Sequence, residues 1–251
     1  MTSVVGFFDN YNRQARLSPS LLALLPPLVT LLAWFPNLLT SNLGTTLVTL
    51  ASSCGLLFGL SVFSRSCGKR TEYRLLKKWG SWPTTQWLRH RDNHVSATTK
   101  QRYYQALKKR IPNLHFPTAS EEAADPAAAD EVFSSAIDWL KEHTRSKEFS
   151  LILKENIEYG FRRNMRGIRP YAIGAIAVCL SASACGAYYR LSHLPTLSVS
   201  SVAQQFSVSV IGATLFLLIA LLGWIVFATD SWVRQAGVQY TRALLSACET
   251  L

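Results

Sequence analysis

The chain has 251 residues, 49% of them hydrophobic, and a formal net charge of +11. That length holds one or two domains. An ordinary basic soluble protein is excluded by where the charge lies: no Asp, Glu, Lys or Arg occurs between Arg16 and Arg65, or between Arg190 and Asp230, and uncharged runs this long are membrane signals.

The N-terminal stretch, residues 1–20, is amphipathic, with Val4, Val5, Phe7, Phe8 and Tyr11 ahead of Arg13 and Arg16. A cleaved signal peptide would start basic and turn apolar sooner. A short interfacial helix on the inner leaflet is expected. Residues 21–64 then read as a transmembrane hairpin, with helices over about Leu21–Leu39 and Leu43–Phe63. Each is long enough at about 1.5 Å per residue for a hydrocarbon core of roughly 30 Å. The turn is "FPNLLTSNLG", rich in Pro, Asn and Gly. Pro26 and Pro27 predict a bend or local unwinding in the first span.

Residues 65–169 read as a helical cytoplasmic domain. Arg65–Arg110 carries thirteen Lys/Arg against Glu72 and Asp92; from Ile111 to Gly160 ten acids outnumber four cations. Thr71–Trp79 continues the second span outward until Pro83. Ser96–Lys109 predicts a helix stopped by Pro112. In "DPAAADEVFSSAIDWLKEH", Asp125 suits the N-cap and Pro126 the first helical position. Val132, Phe133, Ala136, Ile137 and Leu140 share one face. A last helix, about Phe149–Gly167, leads to Pro170. No period-two strand pattern occurs.

A second hairpin occupies 170–229, with spans over about Tyr171–Tyr189 and Val208–Thr229, and 230–251 read as a cytoplasmic tail. The fold class is therefore all-α: a polytopic membrane protein with four transmembrane helices and a small helical domain inserted between helices two and three. Lys and Arg concentrate in the middle domain and at the termini, so the positive-inside rule puts both termini on the cytoplasmic side. The five cysteines form no CxxC pair and suggest neither zinc nor a disulfide framework.

Function is sought in the charged segments. "QWLRHRDNH" and "KQRYYQALKKR" interleave cations with aromatics, the chemistry of a nucleotide or single-stranded DNA site, in which cations meet phosphates and rings stack bases. The residues are Trp87, Arg89, Arg91, Arg102, Tyr103, Lys108, Lys109 and Arg110. Contact with anionic lipid explains the same composition, and is preferred for Arg65–Lys78. "KENIEYGFRRNMRGIRP" adds Asn156, Tyr159, Arg162 and Arg163. This face either grips a ligand or clamps its helix to neighbouring elements.

Thr45, Thr49, Ser52 and Gly59 in span two, with Ala177, Ser181 and Cys185 in span three, form small-residue faces. These serve tight helix packing or line a pore, which four spans enclose only as a homo-oligomer. Span four, with Phe216, Leu217, Leu218, Trp224 and Phe227, reads as lipid-facing. No charge falls inside a span, against an ion-coupled transporter. His90, Asp92 and His94 sketch a metal site too thin to carry one. With no GxSxG, HExxH or phosphate-binding Gly loop, the chain reads as no enzyme, with no cofactor.

Four spans, a compact basic insert and "SLILKENIEYGFRRNMRGIRP" resemble the membrane effectors of bacterial anti-phage systems paired with a nucleotidyltransferase, the Hailong-type effector in particular. The resemblance implies an inner-membrane, oligomeric ion channel controlled by a nucleotide or short DNA oligomer. It also implies a nucleotidyltransferase partner and defence by membrane depolarisation. The alternative is a membrane scaffold whose acidic Glu121–Glu148 face docks a protein.

Overall fold

The computed structural model describes residues 10–39, 42–53, 55–194, 198, 201 and 205–251. Ten helices follow in chain order among them: α1 Asn12–Trp34, α2 Asn42–Ser53, α3 Leu56–Trp79, α4 Pro83–Leu88, α5 Ala97–Arg110, α6 Ala119–Ala124, α7 Pro126–His143, α8 Ser150–Ser192, α9 Val208–Val226 and α10 Asp230–Ser246. No strand occurs among the described residues. Two compact units result. Unit 1 comprises the described residues up to Thr71 together with Gly160–Asp230; unit 2 comprises Glu72–Tyr159 and Ser231–Leu251. Helices α3 and α8 contribute to both.

In unit 1, α1, α8 and α9 are long and apolar enough to cross a membrane, which makes this a membrane protein by length and composition. They expose large apolar side chains, among them Leu28, Val178, Ile219 and Leu222. A soluble protein of this size rarely shows so continuous an apolar surface, and hydrocarbon is its natural solvent. The first turns of α1, Asn12–Leu17, are of π type, with the Ser18 N–H and hydroxyl both on the Arg13 carbonyl. The helix then runs through Pro26 and Pro27 without interruption. The Thr30 hydroxyl donates to the Pro26 carbonyl at 2.9 Å.

The second arm of the first hairpin departs from a single span. It is divided at Gly55, whose φ of 65° closes α2 before α3 begins. Only glycine enters that left-handed region at no steric cost. The 12-residue α2 reaches only about 18 Å. Cys54 and the Val4–Phe8 amphipathic stretch lie outside the described residues.

A second difference concerns Pro170, which lies inside α8 rather than at a boundary. Proline removes one backbone bond and costs about 3 kcal/mol in a helix interior. Around it Ile168, Ala172 and Ile176 bury against Leu217, Trp224 and Ala228. In hydrocarbon this packing gains van der Waals contact rather than removal from water, and α8 stays continuous through the proline. The same packing corrects the lipid-facing reading of α9: Leu217 and Trp224 are buried, while Leu218 and Phe227 are exposed.

Unit 2 is built on a core of Trp87, Leu88, Tyr104, Leu107, Phe133, Ile137 and Leu140, joined by Leu244, Leu245 and Cys248. The segment read as a tail is thus mostly helix α10, with its apolar side in that core. Local signals set the helix starts. Ser96 accepts from the Thr99 N–H at 3.2 Å. Thr118 and Glu121 form a reciprocal capping box. Asp125 accepts from the Ala127 and Ala128 N–H groups. α3 ends at Gly80, φ 83°, ahead of Pro83.

Candidate functional site

The predicted ligand residues divide between the units. In unit 2, three aromatic members are core. Trp87 and Tyr103 bury beside Leu107 and Leu244, and Trp87 stacks on His94. Tyr159 buries with Leu75, Val233 and Ala236, tilts against Trp82 at 5.5 Å and donates its hydroxyl to Glu72 Oε1 at 3.1 Å. These rings leave no open face on which a base stacks. Asn156 is half-buried on α8.

The segment "RHRDNH" is a knot of structural contacts. Arg89 makes a bidentate pair with Asp130 at 2.7 and 2.6 Å. Arg91 lies 3.6 Å from Asp130 and 3.5 Å from Glu122. Glu122, 2% exposed, accepts from the His90 N–H at 2.6 Å, while its other oxygen has no hydrogen bond and faces the Arg91 guanidinium. His90 Nε2 meets the Pro117 carbonyl at 2.9 Å, and His94 Nδ1 meets Asp92 at 3.0 Å. The two imidazoles are each taken locally, and no metal-holding cluster of His, Cys, Asp or Glu occurs among the described residues.

Buried Lys100 closes the knot. Its Nζ donates to the carbonyls of Arg89 and Asp92, the latter at 2.7 Å. Burial lowers its pKa, against the pull of Asp92 and Glu122. A small cavity of about 110 Å³ lies beside it, lined by His90, Asn93, Gln101 and Tyr104. Burial raises the Tyr103 and Tyr104 phenols and pushes the Cys248 thiol up to about 12.

Besides Arg91, which is exposed but set among Glu122 and Asp130, what remains on the surface is one side of α5. Gln101, Arg102, Gln105, Lys108 and Lys109 are all exposed, and Arg110 follows them. Arg102 makes a surface pair with Glu249 at 2.9 Å. Lys108, Lys109 and Arg110 form the last turn. Cations there suit the negative end of the helix dipole, at about 0.3–1 kcal/mol each. They also place three positive charges within one turn of exposed helix.

In unit 1, Arg163 is 4% exposed and Asn164 fully buried. Nε and Nη2 of Arg163 donate to Asn164 Oδ1 at 3.2 Å, and Asn164 Nδ2 donates to the Ala15 carbonyl at 2.6 Å. A Cβ on Gly68 would stand 1.7 Å from Asn164 Oδ1; one on Gly167 would stand 2.5 Å from the Cys67 carbonyl carbon. The pair therefore pins α1, α3 and α8 together where α3 and α8 nearly touch. Arg162 is half-buried on the same helix.

Of the proposed pore residues, Thr45, Thr49, Gly59, Ala177, Ser181 and Cys185 are exposed on the protomer. The Ser52 side chain lies outside the described residues. Thr49 donates its hydroxyl to the Thr45 carbonyl at 2.8 Å, and Thr45 to Asn42 at 3.0 Å. Ala177, Ser181 and Cys185 recur every fourth residue and so share one side of α8.

Glu122, Asp130 and Lys100 were missed as organisers of the knot, because ion pairs between distant elements leave no local spacing. α10 did leave one: Val233, Ala236, Gly237, Thr241, Leu244 and Leu245 recur at helical period and are all buried. No family profile, curated protein or solved structure matches this chain.

Proposed function

We propose that this chain is a four-span, non-enzymatic protein of a bacterial inner membrane, with both termini and unit 2 in the cytoplasm. It works as a homo-oligomeric effector controlled by a phosphate-bearing ligand. The cationic end of α5 carries the ligand half of this reading: Lys108, Lys109 and Arg110 are consecutive and exposed beside Gln101, Arg102 and Gln105. With Trp87, Tyr103 and Tyr159 inside their cores, contact runs through phosphates rather than stacked bases. A nucleotide or a short single-stranded DNA supplies that chemistry, and its binding weakens steeply with salt.

The membrane half rests on three span-length helices. The divided arm, α2 with the uncharged start of α3, supplies the fourth crossing. The exposed line Ala177, Ser181 and Cys185 offers a close-packing or water-lining surface to another copy. The architectural resemblance supplies the setting: a channel whose opening depolarises the host during phage infection, working with a nucleotidyltransferase.

Conductance of the reconstituted protein, with and without a short single-stranded DNA, tests this reading together with binding of the labelled oligomer. Lys108→Gln, Lys109→Gln and Arg110→Gln combined lower affinity by at least about tenfold and flatten the salt dependence by two to three phosphate contacts' worth, roughly. Affinity unchanged by the triple variant would remove α5 from the site.

A specific observation favours the scaffold alternative. An open groove of about 410 Å³ runs beside α6 and α7, lined by His115, Pro117, Glu121, Asp125 and Val132. Purification with a stoichiometric protein and no nucleic acid would favour that reading.

A further inference from the structure

The cationic end of unit 1 carries an inference independent of the ligand reading. One exposed stripe of α3 changes character along its length. Phe58 and Val62 are 59% and 45% exposed; Arg65, Ser66 and Lys69 continue this face and are exposed in turn, and exposed Arg70 stands one residue round from it. Residues four and seven or eight apart stand above one another on a helix, so the surface passes from apolar to cationic within a single turn.

The crossing with α8 fixes what stands at that border. Phe63 meets the Tyr171 ring edge-on at 5.0 Å, and Gly167 lies against Cys67. Helices α3 and α8 are therefore antiparallel here, with Arg65 and Arg169 at one level between these contacts. Phe63 and Tyr171 remain 42% and 53% exposed. Arg169 turns to the Ala228 and Ile225 carbonyls, both at 3.3 Å, at the C-terminal end of α9. Arg166 pairs with Asp230 at 2.7 Å. Arg65 and Arg70 are exposed, with no such hydrogen bond or ion pair among the described residues.

We infer that this border is a binding surface for anionic phospholipid, in which Arg65 holds the headgroup phosphate and Arg70 adds positive charge just beyond it. Phe58 and Val62 pack the acyl chains, and the Phe63–Tyr171 pair sits at the glycerol level. The dimensions agree. Arg65 stands about 4.5 Å along the axis above Val62 and Arg70 about 12 Å. The interfacial layer on each side of the hydrocarbon is roughly 5–7 Å thick, and the Debye length in physiological salt is about 8 Å. Arg65 falls inside the headgroup layer, and Arg70 stands about 5 Å beyond it, within a Debye length. At the opposite end of the unit, Arg190 lies over the Trp34 ring at 4.7 Å and donates to the Gln205 carbonyl.

The test is native mass spectrometry of the full chain in detergent containing equal phosphatidylglycerol and phosphatidylcholine, with inorganic phosphate as competitor. The expected result is retention of phosphatidylglycerol over phosphatidylcholine, falling about fivefold for each charge removed in Arg65→Gln and Arg70→Gln. Arg65→Lys and Arg70→Lys keep the charge and should keep the lipid. Equal retention of both lipids by the wild-type chain would overturn the inference. So would a preference that survives both Gln substitutions, or displacement of the lipid by millimolar inorganic phosphate, which would mark a free-anion site instead.

Discussion

Single residues decide where the helices of unit 1 meet. Gly68 and Gly167 leave no room for a methyl group, whereas Gly174, Gly212 and Gly223 have nothing within 4 Å of a built Cβ. Gly68→Ala or Gly167→Ala should therefore destabilise the protein by about 1–3 kcal/mol through overpacking, seen as a lower melting temperature in detergent. Gly174→Ala and Gly223→Ala should leave it unchanged; equal effects at all four would deny the close crossing. A second residue-scale expectation concerns pH. Cys248 has an ordinary thiol value of 9.0 and is pushed up to about 12 when folded. Its contribution is complete below pH 9 and is lost as the pH rises toward 12, because the unfolded chain releases that proton first. Tyr103 and Tyr104, also raised, act in the same direction, while Lys100, lowered, opposes them. Denaturation midpoints of the wild-type chain should fall over that range, and the fall should be shallower in Cys248→Ala.

Among the helices, α10 is the part whose role differs most from its reading as a tail. Leu244 and Leu245 are fully buried with Phe133 and Leu140. Leu244→Ala should cost about 2–5 kcal/mol, measured by hydrogen exchange over α5 and α7; protection as in the wild type would mean that α10 only rests on the surface. The periodicity of α10 was present in the sequence, but a segment following the last span invites reading as a tail. The helix starts at Ser96 and Asp125 were legible because each acts on neighbours two or three residues away, whereas the helix begun by the Thr118 capping box was missed although its signal is equally local. The division at Gly55 was not, since an apolar run with one glycine reads the same whether or not the glycine turns left-handed. The candidate site was legible only in its charge. Sequence spacing put Trp87, Tyr103 and Tyr159 beside cations, but burial depends on Leu107, Leu244 and Val233 arriving from distant segments. Arg89 and Arg91 likewise met Asp130 and Glu122, far along the chain.

At the scale of the whole molecule, the uncharged runs and the placement of cations argue for four crossings with both termini inside. A fluorescent reporter at the C-terminus should be active in the cytoplasm, and alkaline phosphatase inserted after Asn37 should be active outside; the reverse pattern would contradict the orientation. The central claim is that this membrane protein answers to a phosphate-bearing ligand, and it is tested most directly by what the protein carries. Purified in mild detergent, it should show raised absorbance at 260 nm relative to 280 nm and release a nucleotide or short oligonucleotide on mass analysis. The Lys108→Gln, Lys109→Gln and Arg110→Gln variant should come without it. A clean protein spectrum, with no binding when nucleotides and short single-stranded DNA are added back, would contradict the account.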